Sequence, residues 1–112
     1  NLRFSQNGRM AMCVITRAVM KEFGITGDDM DNISALPMQA EGVDMALTLI
    51  ENLDGTLRLS VRASVGVDAA EFCGRYGGGG HQGASGAHLE GKPTEEFAEM
   101  LFSAAEKYVN GA

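Results

Sequence analysis

The chain has no tryptophan and only two each of cysteine, proline, histidine and tyrosine. Cys13 and Cys73 are too few and too far apart for a disulfide framework or a metal-knuckle pair, and they read as reduced thiols that fill space. With two histidines in all, no Asp and His cluster is available for a two-metal hydrolytic centre. Basic residues are also scarce. Nine Lys and Arg stand against 15 Asp and Glu, a net charge of −6. A broadly basic, nucleic-acid-coating surface is therefore excluded, and any phosphate site must be local. The longest apolar run, Met10 to Ile15, is far too short to span a membrane. No signal-peptide pattern opens the chain, so a cytoplasmic location without a membrane partner is the default expectation.

What is present suits one globular unit. Apolar residues are 45% of 112 and charged ones 21%, which predicts a single domain over 1–112 with a modest core. Leu2 and Phe4, then Met10, Met12 and Val14, alternate around Asn7-Gly8, a hairpin signal. Val19, Met20 and Phe23 have helical spacing closed by Gly24, and a second short helix is expected from Asp28 to Pro37. From Val43 the period becomes two. Val43, Met45, Leu47 and Leu49, the turn Asp54-Gly55, and Leu57, Leu59 and Val61 predict a hairpin that puts Arg58, Ser60 and Arg62 on its other face.

Asp68 with Glu71 predicts a capped helix whose Ala70 and Phe72 turn inward. That helix runs into glycine: seven of the chain's 15 glycines fall between Gly74 and Gly86. A run of this kind inside one domain is not a linker. Ala87 to Glu90 predict a short strand. Thr94 is expected to cap a last helix with Phe97, Met100, Leu101, Ala104 and Tyr108 as its apolar stripe. The fold class is thus α/β or α+β, a mixed β-sheet with helices packed on it and a glycine-rich, phosphate-binding loop after a helix.

Four glycines ending in His81 let backbone N–H groups converge on an anion. Residues 55–89 sum to +1 while the rest of the chain sums to −7, so basic character concentrates where the glycines are. The alternative, a tight loop required only by packing, is the ordinary reading of glycine alone. Gly78-x-Gly80-x-x-Gly83 follows a helix rather than a strand, so it is no dinucleotide fingerprint. A Walker-type loop is excluded because no lysine lies between Lys21 and Lys92. His81 and His88 with Cys73 or Glu90 match no metal-ligand spacing, and His88 reads as a strand-surface residue. Ser85 with His81 lacks the strand-to-helix elbow of a nucleophile, and a small residue for close packing is the better reading.

The motif Gly77-Gly78-Gly79-Gly80-His81-x-x-Ala84-Ser85-Gly86, after Ser60-Val61-Arg62 and the helix start at Val67-Asp68, resembles the DHH-associated C-terminal domain of the DHH phosphoesterase superfamily. The resemblance runs from about Asp28 to Tyr108. It is closest to the branch of nano-RNases, pAp phosphatases and exopolyphosphatase-related proteins. It implies that Arg62, Gly78, Gly79, Gly80 and His81 contact phosphate, with Ser60 supporting them and Ser85 completing the set. Ala63 stands where the family often has Ser, and Ser85 where it often has Ala. No catalytic residue is expected in this chain. The family implies that an N-terminal Asp-His-His domain of the same protein holds Mn2+ and performs hydrolysis, so the chain reads as a C-terminal piece of a two-domain protein. Its expected partners are that DHH domain and a short oligonucleotide or nucleotide substrate. The alternatives are a structural or oligomerisation module, a regulatory nucleotide-binding domain, or a tRNA-binding module similar to the C-terminal domain of alanyl-tRNA synthetase.

Overall fold

The computed structural model describes residues 2–26, 29, 38, 42–64 and 66–111. The helix expected from Asp28 to Pro37 lies outside the described residues. Alternation and turn chemistry produce the first half of the sheet. β1 (Leu2–Phe4) and β2 (Met10–Ile15) form the hairpin around Asn7-Gly8, and α1 (Arg17–Phe23) follows. Thr16 caps α1 by accepting from the Val19 N–H, and Gly24 closes it in the left-handed region. β3 (Met45–Glu51) and β4 (Leu57–Ala63) pair across Asp54-Gly55, where Asp54 Oδ1 accepts from the Thr56 N–H at 3.0 Å. α2 (Ala69–Gly74), β5 (Gly79–His81), β6 (Ala84–Leu89) and α3 (Thr94–Val109) complete the chain.

The six strands lie in the order β1-β2-β3-β4-β6-β5. β2 and β3 run parallel and every other pair antiparallel, so the sheet is mixed, as expected. One face is the main core. Met10 and Met12 of β2, Met45, Leu47 and Leu49 of β3, Leu57, Leu59 and Val61 of β4, and Ala87 and Leu89 of β6 pack beneath α2 and α3. Phe72 of α2 is fully buried there, with its ring centroid 5.5 Å from that of Tyr108 in an edge contact. Each such large apolar side chain contributes about 1.5–3 kcal/mol through burial. The other face is covered differently: α1 lays Met20 on Ile15 and Ile50, leaving the β4-β6-β5 end to polar side chains.

The details depart from expectation in five places. Val43 precedes β3 and packs on the second face with Ala11 and Ala46, because the alternation starts only at Met45. The inward residues of α2 are Ala69, Phe72 and Cys73, the i, i+3, i+4 set, rather than Ala70 with Phe72. Asp68 does cap α2, but the Glu71 carboxylate turns away from the N-terminus to Arg75. Thr94 is the first residue of α3, with Pro93 as its N-cap, and its hydroxyl donates to Glu51 at the end of β3. Part of the glycine run is also a strand: residues 79–81 form β5, one of the two edge strands of the sheet.

Candidate functional site

The second face of the β4-β6-β5 end is assembled by strand parity. Side chains on a strand alternate, so Arg58, Ser60 and Arg62 share the face opposite the core residues Leu57, Leu59 and Val61. Register then carries the pattern across neighbouring strands. Arg62 pairs with Ala84 and Ala84 with His81; Ser60 pairs with Gly86 and Gly86 with Gly79; Arg58 pairs with His88. Paired residues point the same way. Arg62 and His81 therefore face each other across one intervening strand, roughly 9–10 Å between backbones. Ala84, Gly86 and Gly79 make a floor almost without side chains between them. Ser60 is buried at the β4 side, Arg62 is half-buried and His81 is exposed.

Gly78, Gly80 and Ser85 have other placements. The row Val61–Ser85–Gly80 falls on the core side of the sheet. Ser85 Oγ is buried there with no hydrogen-bond partner among the described residues, away from Arg62 and His81. A Cβ on Gly78 would meet the Gly86 carbonyl oxygen at 2.1 Å and Ala87 Cβ at 2.7 Å. Gly80 has φ +148°, and a Cβ there would lie 2.7 Å from Ser85 Cα. Packing alone demands glycine at both positions. Gly79 differs: its φ is outside the left-handed region, and a Cβ would meet nothing within 4 Å. Neither conformation nor packing requires its bare backbone.

The hairpin tip is held from outside. The Ala69 N–H donates to the Gln82 carbonyl at 2.8 Å and the Ala63 N–H to the Gly83 carbonyl at 3.0 Å. The start of α2 is thereby occupied by protein groups, Gln82 on Ala69 and Asp68 on Glu71, so it offers little to an external anion. Just past this same end of β4, Ser64 donates to Asp44, which also accepts from Arg9 Nε at 2.7 Å. The hydrogen bond from Arg9, then that from Ser64, holds the Asp44 carboxyl below its usual range.

Electrostatics separates the arginines. Arg75, which contributed to the basic balance of the glycine segment, is held by both oxygens of Glu71 at 3.0 Å and lies over the Tyr108 ring. The hydrogen bonds from Arg75 in turn hold the Glu71 carboxyl below its usual range. Among the described residues, the ion pairs use Arg3, Arg9, Arg75 and His88, leaving Arg58 and Arg62 outside them. Two arginines on one polar face thus have their charge available. Burial pushes the Cys73 thiol up and keeps it a packing residue. Among the described residues no group of three or more His, Cys, Asp or Glu is placed to hold a metal ion.

Arg58 and His88 also meet on this face. Arg58 was legible as a face-mate of Arg62, but its pairing with His88 depends on the β4–β6 register. With Asn52, Gly78 and Gly86 these two line a shallow depression of about 400 Å³.

Comparison with known proteins bears on the family and the fold. The DHHA1 domain family model matches residues 10–111. The chain is 26% identical over 106 residues to the bifunctional oligoribonuclease and PAP phosphatase NrnA of Mycoplasma genitalium, covering 95% of this chain and 32% of that protein. It is 31% identical over 88 residues to a probable protein of the same name from Streptococcus mutans, covering 79% and 28%. The chain thus spans about a third of the length of the curated relatives it matches. An exopolyphosphatase-related protein from Bacteroides fragilis has the same fold, with a TM-score of 0.82 at 18% identity over 98% of this chain and 33% of that one. The C-Ala domain of Aquifex aeolicus alanyl-tRNA synthetase has a TM-score of 0.65 at 15% identity and covers 99% of both chains.

Proposed function

The chain belongs to the DHHA1 domain family, and from that premise we propose that it is the substrate-gripping domain of a DHH phosphoesterase acting on short oligoribonucleotides or 3′-phosphorylated nucleotides. One observation carries the reading: Arg62 and His81 stand abreast over a floor of Ala84, Gly86 and Gly79, and Gly79 is bare where neither packing nor conformation calls for glycine. A phosphate fits such a place. The Arg62 guanidinium supplies charge and a fork of donors, the His81 imidazole a second donor from the opposite side, and the absent side chains allow close approach. Ser60 occupies the next row of the same strand face. The names of the relatives, oligoribonuclease and PAP phosphatase, favour the nucleotide class.

Hydrolysis belongs in this proposal to a DHH domain of the same protein, which would hold manganese; no residue of this chain is assigned to the metal. The clamp's contribution is to fix the scissile phosphoryl group and to stabilise charge that develops on it.

The test is an amide-shift titration of the chain with pAp and with a short RNA, repeated on Arg62→Ala and His81→Ala. Shifts centred on residues 77–86 are expected, with affinity lowered about 10- to 100-fold by Arg62→Ala. Unchanged affinity in Arg62→Ala overturns the assignment. If His81→Ala alters self-association or stability while binding is unaffected, the run is a structural module. The C-Ala likeness, at 15% identity, supports the shared fold and adds nothing to the choice of ligand.

A further inference from the structure

At the edge of the sheet opposite β5, the strand β1 reads apolar, basic, apolar: Leu2, Arg3, Phe4. Register sorts these side chains. Arg3 pairs with Met12 and points to the α3 side of the sheet, whereas Leu2 and Phe4 pair with Cys13 and Ala11 and share the second face. Both are large and apolar, yet each is 47% exposed. The backbone is open as well. Ser5 gives its N–H to the Met10 carbonyl of β2, so by alternation Arg3 also turns its backbone to β2, and the N–H and C=O groups of Leu2 and Phe4 face outward at the sheet edge. Such an edge is a template for another strand. We infer that β1 is a self-association surface that pairs antiparallel with β1 of a second copy of this chain, joining two six-stranded sheets into one and leaving both β5 edges free at its outer ends.

Charge selects a second copy as the occupant. Between β1 and the start of α3 lies a groove of about 710 Å³, lined by apolar Leu2, Val14 and Ala98 and by the carboxylates of Glu51, Glu95 and Glu99. The cation among its lining residues is Arg3, which is paired to Glu99 and lies over the Phe102 ring. Carboxylates therefore outnumber guanidinium, and Glu95 is outside the ion pairs of the described residues. An incoming strand must bring apolar side chains to Leu2 and Phe4 on one face and a basic side chain to this groove on the other. β1 itself is such a strand. Pairing about a two-fold axis at Arg3 sets Leu2 of each copy opposite Phe4 of the other, and the outward backbone groups of both exchange hydrogen bonds. A shift of two residues leaves Leu2 or Phe4 without that partner. Two arginines opposite each other would repel, but here they meet between the Glu99 and Glu95 carboxylates of both copies. A two-fold contact of this kind closes on itself and stops at two copies.

The experiment follows the chain between about 10 µM and about 1 mM by sedimentation equilibrium and amide hydrogen exchange, on the parent, Phe4→Lys and Phe4→Thr. The average mass of the parent is expected to rise about 1.5-fold over this range, as for a small interface. Exchange at the Leu2 and Phe4 amides slows about twofold in step with it, while Arg3, turned to β2, and the β5 residues Gly79 to His81 are unchanged. Phe4→Lys puts a charge on the edge and holds the mass at the monomer value. Phe4→Thr keeps a strand former and loses about half of the rise, so the test stands even if the lysine variant fails to fold. Added salt weakens the association by screening the groove carboxylates from the incoming arginine. A mass that stays at the monomer value throughout overturns the inference and leaves this edge to a different partner. Association that protects Gly79 or His81 in place of Leu2 and Phe4, or that Phe4→Lys leaves unchanged, overturns it as well.

Discussion

The two edges of the sheet are both three-residue strands, exposed along their whole length and joined by a hairpin to a six-residue neighbour. They are held in opposite ways. At β1 the turn carries its own order, in that Asn7 Oδ1 accepts from the Arg9 N–H, Ser5 donates its N–H to the Met10 carbonyl and Gly8 turns the chain with φ +74°, and its side chains reach α3, Asn7 Nδ2 donating to Asn110 Oδ1 at 2.7 Å. Its side chains also do structural work, with Arg3 paired to Glu99 and lying over the Phe102 ring. At β5 there is nothing but two glycines and an exposed histidine, and the turn at Gln82-Gly83 uses no left-handed residue. Neighbours hold it through the Ala69 and Ala63 N–H groups. An edge that carries side chains stabilises the domain; an edge stripped of them, yet fixed by its surroundings, is suited to backbone approach by a ligand.

The largest break in this comparison is expected from Gly78→Ala. The new methyl would collide with backbone of β6, the Gly86 carbonyl oxygen at 2.1 Å among its contacts, and the hairpin would have to shift, at a cost of about 3 kcal/mol. Chemical denaturation reads this directly, and a loss below about 1 kcal/mol would contradict the close packing of β5 on β6. At the other edge, Gly8→Ala meets open space and is penalised only by its left-handed φ; a loss of about 1 kcal/mol is expected by the same measurement. The smallest change in stability belongs to Gly79→Ala, within about 0.5 kcal/mol of the parent. That variant sharpens the contrast, because its affinity for pAp is expected to fall while its melting curve stays in place. Preserved affinity would mean that the bare backbone at Gly79 has no role in binding.

Much of the fold was legible because it rests on short-range chemistry. Asn7-Gly8 and Asp54-Gly55 announce their hairpins, Gly24 ends α1, Asp68 caps α2, and Phe97 and Leu101 mark the buried stripe of α3. What escaped depends on contacts between distant segments. β5 could not be read, since glycine is a poor strand former and only pairing with β6 makes residues 79–81 extended. Thr94 has the side chain of a cap, yet its hydroxyl is drawn to Glu51 on another element. Ser85 sits in the motif between Ala84 and Gly86, and parity sends it to the core side, away from Arg62.

The family, through the Gly77-to-Gly86 motif, and the local cationic face, through Arg58, Ser60 and Arg62 at alternate positions of one strand, are both written in the chain's own residues. Both are properties of contiguous residues, and local periodicity preserves them. Which residues meet on that face depends on how the strands pair. The β4–β6 and β6–β5 registers set His81 across from Arg62 and His88 beside Arg58, and a slip of one residue would send each to the opposite side. The same pairing separated Gly79 from Gly78 and Gly80, because a Cβ meets or misses its neighbours only once three strands lie side by side.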